Sequence, residues 1–183
     1  MTQSHESTPV ISLSKLKQGL PAITPAFGTA LAEACSVCLA EQGHQSGLVL
    51  KIEGDFADVL TLLYFEVTEQ MKRCWNDREY ATEQAAYAVA LLLMQQMTNL
   101  TVVERSRKGT GFDYWLGRSA DTAGLPFQKV ARLEVSGIRR GNRQQVRRRA
   151  KLKVAQVRPT DGVAPAYIVI IEFGQPLARI VKK

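Results

Sequence analysis

The chain has 183 residues, of which 45% are hydrophobic and 22% charged, a size and balance typical of one globular domain with a substantial core. No apolar run approaches the roughly 18 residues of a membrane span, so we expect no membrane partner. The start of the chain, MTQSHESTPV, lacks the basic and apolar segments of a secretory signal. Its three cysteines favour a reducing compartment, so we expect a cytoplasmic protein.

The net charge of +7 is concentrated in one segment. Eight basic residues and no acidic ones lie there: Arg139, Arg140, Arg143, Arg147, Arg148, Arg149, Lys151 and Lys153. Without these eight, the chain has 16 Lys and Arg against 17 Asp and Glu and is nearly neutral. A local positive surface favours a polyanionic partner such as a phosphate backbone. The alternative is a solvated helix face that only aids solubility.

The first part of the chain predicts a tail followed by a small α+β segment. Residues 1–12 are polar and aperiodic, which predicts a disordered tail. Residues 13–76 predict an N-terminal α+β elaboration, with a helix over 25–42 and a strand over 48–52. The segment 59–67 favours a strand, although its pattern does not exclude a helix.

Residues 77–183 predict an α/β core that forms one compact domain with the elaboration. A buried helix is expected over 79–97, because Ala, Leu, Met, Glu and Gln dominate it. Strands are predicted over 100–103, 112–116, 130–138 and 166–173, with loops at 121–126 and 159–165. A second helix follows Asn142, which forms a capping-box pattern with Gln145. A basic tail closes the chain.

Two acidic residues on neighbouring predicted strands suggest a metal site. Residues two apart in a strand share a face, which puts Glu134 beside Arg132 and Ser136. If the strands 112–116 and 130–138 are neighbours, Asp113 and Glu134 converge. Two close carboxylates repel unless a proton or a cation lies between them, and Mg²⁺ or Mn²⁺ is a natural occupant. The alternative is that each acid pairs separately with a nearby cation, namely Arg132, Arg118 or Lys129.

The order of elements around these acids resembles the common core of the PD-(D/E)xK nuclease superfamily. The resemblance covers about half of the chain, residues 79–173, and is carried by ATEQAA, GTGFDYWLG and ARLEVSG. It implies a restriction-endonuclease-like fold, in which α-β-β-β-α-β elements form a central mixed sheet flanked by helices. It also implies Mg²⁺-dependent hydrolysis of nucleic-acid phosphodiesters, with DNA favoured over RNA.

The resemblance assigns roles to individual residues. Asp113 and Glu134 would be the metal-binding acids, and Glu83 would be the additional glutamate of the first core helix. Gln144 or Gln145 stands where the second helix often supplies a polar group. Ser136 departs from the pattern, because it stands where the family has lysine.

The serine at position 136 leaves three outcomes open. A serine hydroxyl carries no charge and is a poor base at neutral pH. Either a cation from elsewhere replaces the lysine, or a second metal acts instead, or the site has lost catalysis. The local supply of cations is Arg139, Arg143, Lys108 and Lys129.

Three functions follow from the sequence. The first is a metal-dependent nuclease whose basic helix holds phosphates and whose catalytic residues are Asp113, Glu134, Glu83, Ser136 and Gln144. The second is a non-catalytic nucleic-acid-binding protein on the same scaffold. The third is a protein-interaction module, either a homodimer or a subunit of a larger complex. Tyr114 and Trp115 are candidates for base stacking, with core packing as their alternative.

Overall fold

The structure, a computed structural model, describes residues 8–118 and 127–183, which form a mixed eight-stranded sheet flanked by helices. The strands are β1 (Val10–Ser12), β2 (Leu48–Gly54), β3 (Asp58–Leu63), β4 (Thr101–Arg105), β5 (Tyr114–Gly117), β6 (Ala131–Ile138), β7 (Ala166–Glu172) and β8 (Leu177–Lys182). The α-helices are α1 (Pro25–Glu41), α2 (Glu69–Cys74), α3 (Arg78–Thr98) and α4 (Arg143–Gln156). Short 3₁₀ helices cover Leu13–Gln18 and Arg158–Thr160. The predicted α/β class is confirmed.

The strand order across the sheet is β1-β3-β2-β8-β7-β6-β5-β4. β6 and β7 are parallel, whereas β5 runs antiparallel to both β4 and β6. β2 pairs in parallel with β8, so the strands from residues 13–76 continue the same sheet as the C-terminal strands. The predicted elaboration therefore extends one edge of the sheet.

The two faces of the sheet are covered by different helices. α1 and α3 pack on each other and on one face, where they enclose the larger hydrophobic core. α4 packs on the other face, against β6, β7 and β8, over a smaller core that includes Val146, Ala150 and Val157. Every residue of β7 is buried, as its apolar sequence predicts for a central strand. None of the described helices is long and apolar enough to cross a bilayer.

Two predictions about the ends of the chain are wrong in part. The last residues of the predicted disordered tail, Val10–Ser12, form β1 because the side chain of Ile11 is buried in the core. The predicted basic tail forms β8, where Leu177, Ala178 and Ile180 are buried. Residues 1–7 of the tail and the predicted loop 121–126 lie outside the described residues.

Candidate functional site

β6 carries two kinds of side chain to its two faces. Leu133 belongs to the core under α3, whereas Glu134 and Ser136 contact side chains of α4. β5 pairs with β6 only over the register that ends at Tyr114 and Leu133. From Glu134 onwards, β6 therefore runs past the start of β5, between α3 and α4.

Asp113 lies directly before β5 and is fixed at this edge of β6. Its backbone N–H donates to the Leu133 carbonyl oxygen over 2.8 Å. Its carboxylate accepts from the Tyr87 hydroxyl of α3 at 2.9 Å and from the Val135 backbone N–H at 2.8 Å. Both oxygens of Asp113 are thus held by the protein, one by each neighbouring element.

The structure brings Asp113 and Glu134 together. Burial, followed by the charge of Asp113, raises the pKa of Glu134 to about 7. The nearby Lys153 ammonium opposes this increase. Near neutral pH the pair therefore shares a proton or requires a cation.

The two oxygens of the Glu134 carboxylate have unequal environments. Oε1 accepts from Lys153 Nζ at 2.6 Å and from Gln156 Nε2 at 3.0 Å. Oε2 is buried and has no hydrogen-bond partner in the part of the chain that the structure describes. A buried carboxylate oxygen without a donor is costly, so this atom marks a position where a proton or a metal ion would be stabilised.

α4 supplies the cations of the site. Arg149 Nη1 donates to the Ser136 hydroxyl oxygen at 2.8 Å, and Lys153 lies one helical turn further along, on Glu134. Gln156 follows three residues later on the same face. All three flank the buried stripe of α4, and Lys153 was not predicted as the partner of Glu134. The signal was present, since i, i+4 and i+7 residues share one helix face.

Of the four cations expected to replace the family lysine, one lies at the site. Arg139 forms an ion pair with Glu41 of α1 and donates to the Thr82 hydroxyl at 3.3 Å. Lys129 pairs with Glu104 at 2.8 Å. Arg143 is 4.0 Å from Glu53, and Lys108 is exposed beside the turn before β5. Of these four, only Arg139 lines the cleft described below.

A cleft of about 410 Å³ opens between α3, β6 and α4. The lining residues that bear on function are Arg78, Glu83, Ser136, Arg139, Arg149 and Lys153. Gly137 has no side chain and so allows the first turns of α3 to lie close to β6. A Cβ at this position would be 2.5 Å from the Thr82 carbonyl oxygen, which is too short a distance. Glu83 is exposed and lies one turn before Tyr87. Burial, followed by the charge of Asp113, raises the pKa of Tyr87, and the charge of Glu83 acts in the same direction.

Gln144 lies outside this arrangement. It is exposed in the first turn of α4, about 140° around the helix from Arg149. Gln145 closes the predicted capping box with Asn142. Gln156, from the other end of α4, is the amide that contacts Glu134.

The eight cations proposed for nucleic-acid binding fall into three groups. Arg139 and Arg140 contact α1 or the residue after it, through Glu41 and Gln42. Arg149 and Lys153 face the cleft. The remaining four are exposed on α4: Arg143, Arg147, Arg148 and Lys151.

The residues that were expected to pair with the acids separately have other roles. Arg132 is 1% exposed and donates to the carbonyl oxygens of Ala164 and Val157, so it anchors the loop after α4.

Of the stacking candidates, Tyr114 is fully buried, and Trp115 packs edge-on against Phe112. Tyr114 therefore belongs to the larger core, and Trp115 packs against the smaller one.

The donor set of the site is two carboxylates. Within the ranges 8–118 and 127–183, no group of three or more His, Cys, Asp or Glu side chains is arranged to hold a metal ion. Mg²⁺ is commonly held by one or two carboxylates and completes its shell with water and phosphate oxygens, so the pair and its unpartnered oxygen fit this ion. Comparison of the chain with protein-family models, curated proteins and solved structures found no match in any of the three.

Proposed function

We propose that this chain is a metal-dependent nuclease with a restriction-endonuclease-like core. One observation carries the proposal: Asp113 and Glu134, whose buried Oε2 has no hydrogen-bond partner among the described residues, lie beside a cleft that α4 lines with cations. A strongly perturbed carboxyl group with a specific charged neighbour at a cleft is typical of functional sites.

Asp113 and Glu134 would hold one Mg²⁺ or Mn²⁺ between them. When bound, such an ion stabilises charge on a scissile phosphate and lowers the pKa of a water ligand. The protein fixes the geometry in advance, since Tyr87 and the Val135 N–H orient Asp113 while Lys153 and Gln156 orient Glu134.

Lys153 would take the part of the lysine that Ser136 replaces. Its ammonium group contacts the metal-binding glutamate directly, which brings a positive charge to the place where an attacking water and the phosphate would meet. Ser136 would act indirectly, because its hydroxyl orients the Arg149 guanidinium towards the cleft. Arg149 then offers further N–H donors to phosphate oxygens.

The shared proton of the acid pair is part of the proposal. A cation that binds between Asp113 and Glu134 replaces that proton, so metal binding would release a proton near pH 7. We therefore expect the apparent affinity for Mg²⁺ to rise between pH 6 and pH 8.

The test is cleavage of single-stranded and duplex oligonucleotides with and without Mg²⁺. Asp113→Asn is expected to abolish Mg²⁺-dependent cleavage, and Lys153→Met to reduce it strongly. Lys151→Met is the matched control, because Lys151 is an exposed cation on another side of the same helix. Cleavage that survives in Asp113→Asn, or equal effects of the two lysine variants, would contradict the proposal.

A second candidate is a nucleic-acid-binding protein without catalysis. It is favoured by Ser136 at the lysine position and by the exposed cations Arg147, Arg148 and Lys151 on α4. Binding with a steep salt dependence but without cleavage in Mg²⁺ or Mn²⁺ would support it. Salt-insensitive recovery of a protein partner, without nucleic-acid binding, would instead support a protein-interaction module.

A further inference from the structure

Two aromatic side chains, one before α3 and one in its first turn, are stacked at the surface. The rings of Trp75 and Tyr80 lie 5.9 Å apart between centroids, with an angle of 18° between their planes. Tyr80 is 53% exposed, whereas Trp75 is half-buried. Asp77 caps α3 by accepting from the backbone N–H groups of Glu79 and Tyr80, which fixes the backbone beneath the exposed ring.

The pair lies where α3 begins, and other residues of the first two turns of this helix line the cleft. Tyr80 lies one turn before Glu83 and two turns before Tyr87, on one side of α3. Tyr87 contacts Asp113, and the distance from Tyr80 to Tyr87 along the helix axis is about 10 Å. Arg78 and Glu83, on either side of Tyr80 in the sequence, both line the cleft.

We propose that Trp75 and Tyr80 form a stacking platform for an unpaired base of a single-stranded nucleic acid. The backbone of that strand would enter the cleft and meet Arg78, Arg139 and Arg149. This inference rests on the proposed function and narrows its substrate to a single strand or a frayed end.

The chemistry of the surface favours a single strand over a duplex. An exposed aromatic ring stacks on any base that offers a free face, and the bases of a duplex have their faces covered by their neighbours. The cations of the cleft supply contacts to phosphate oxygens, and guanidinium groups bind them with paired donors. Because every base has a π-face, the platform accepts DNA and RNA alike.

The experiment measures binding in EDTA, so that cleavage does not interfere. Fluorescence anisotropy would give the affinity for labelled 12-residue strands of dT and of U, and for a blunt duplex of mixed sequence. Tyr80→Ala is expected to weaken strand binding about tenfold, the scale of one lost stack, while Tyr80→Phe stays near the wild type. Duplex binding is expected to change less than about twofold, and the dT and U strands are expected to lose affinity alike.

Tyr80 is an exposed residue, and a thermal unfolding curve for each variant checks that the fold is unchanged. Equal strand affinity of Tyr80→Ala and the wild type would overturn the inference, as would an equal loss for strand and duplex. Binding that depends on Tyr80 without any Mg²⁺-dependent cleavage would keep the platform and overturn the nuclease. Mg²⁺-dependent cleavage combined with strand binding that is unchanged in Tyr80→Ala would keep the nuclease and overturn the platform.

Discussion

Two buried glutamates, Glu134 and Glu172, lie on the neighbouring parallel strands β6 and β7, and their carboxylates differ in their hydrogen-bond partners. Glu172 accepts three backbone N–H groups, from Gly141 and Gly174 at Oε1 and from Gln175 at Oε2, all within 2.9 Å. Glu134 is also nearly fully buried, yet its Oε2 has no partner within the described ranges and a second carboxyl group faces it.

The difference separates a structural charge from a candidate functional one. Glu172 connects the turns after β6 and β7 and so fixes the approach to α4, which carries Arg149 and Lys153. Three backbone N–H groups satisfy the Glu172 carboxylate, so this carboxylate needs no further ligand. Oε1 of Glu134 is paired with Lys153, but Oε2 keeps no hydrogen-bond donor among the described residues, and a metal ion would satisfy it.

The strongest effect is expected on activity, when the same substitution is made at Glu134 and at Glu172. Glu134→Gln is expected to lower Mg²⁺-dependent cleavage by about 100- to 1,000-fold, because it would neutralise a proposed metal ligand and the ion pair with Lys153. Glu172→Gln is expected to keep the activity of the folded fraction within a few-fold. Initial rates on a labelled oligonucleotide, normalised to folded protein, measure both. Similar losses in the two variants would break the distinction.

The second effect is on stability, where the substitution at Glu172 is expected to be the more damaging of the two. Glu172→Gln places an amide N–H₂ against backbone donors and is expected to lower the free energy of unfolding by about 3 kcal/mol. Glu134→Gln is expected to be neutral or stabilising at pH 8 without metal, because it removes a buried charge repelled by Asp113. Urea unfolding in EDTA measures both variants. A larger loss in Glu134→Gln would argue that this residue is structural.

The third effect is a pH dependence that Glu134 alone should cause. Its folded pKa of about 7 exceeds the ordinary value of 4.5, so between these values the folded protein binds more protons than the unfolded chain. The free energy of unfolding of the metal-free protein should therefore fall as pH rises from about 4.5 to 7, by on the order of 2 kcal/mol. Urea titrations across this range would detect it, and Glu134→Gln should remove it. A decline of equal size in that variant would assign it to other groups.

Local sequence patterns account for much of the fold. Apolar runs and alternation predicted β2, β3, β6 and β7, composition predicted α3, and a capping box predicted the start of α4. β8 was missed because its alternating apolar residues are masked by basic ones, of which Arg179 is paired with Glu53 across the sheet. The parallel pairing of β2 with β8 joins distant parts of the chain, and no local pattern specifies it.

The candidate site was predictable only in part, for a related reason. Strand alternation placed Glu134 and Ser136 on one face, and the pairing of β5 with β6 then brought Asp113 to Glu134. Alternation does not determine how α4 is rotated against the sheet, so Lys153 and Gln156 were not recognised. The unpartnered oxygen of Glu134 depends on every surrounding element and lies beyond sequence patterns altogether.

The smallest expected effect tests the outer surface of α4 against its cleft side. Arg147→Glu combined with Arg148→Glu should weaken nucleic-acid binding several-fold and flatten its salt dependence, because fewer counterions are released. The two residues are exposed, so the free energy of unfolding should change by less than about 0.5 kcal/mol. Anisotropy titrations at several salt concentrations measure the slope. An unchanged slope would assign phosphate binding to Arg149 and Lys153 in the cleft, and the exposed charges of α4 would then be a solvated helix face.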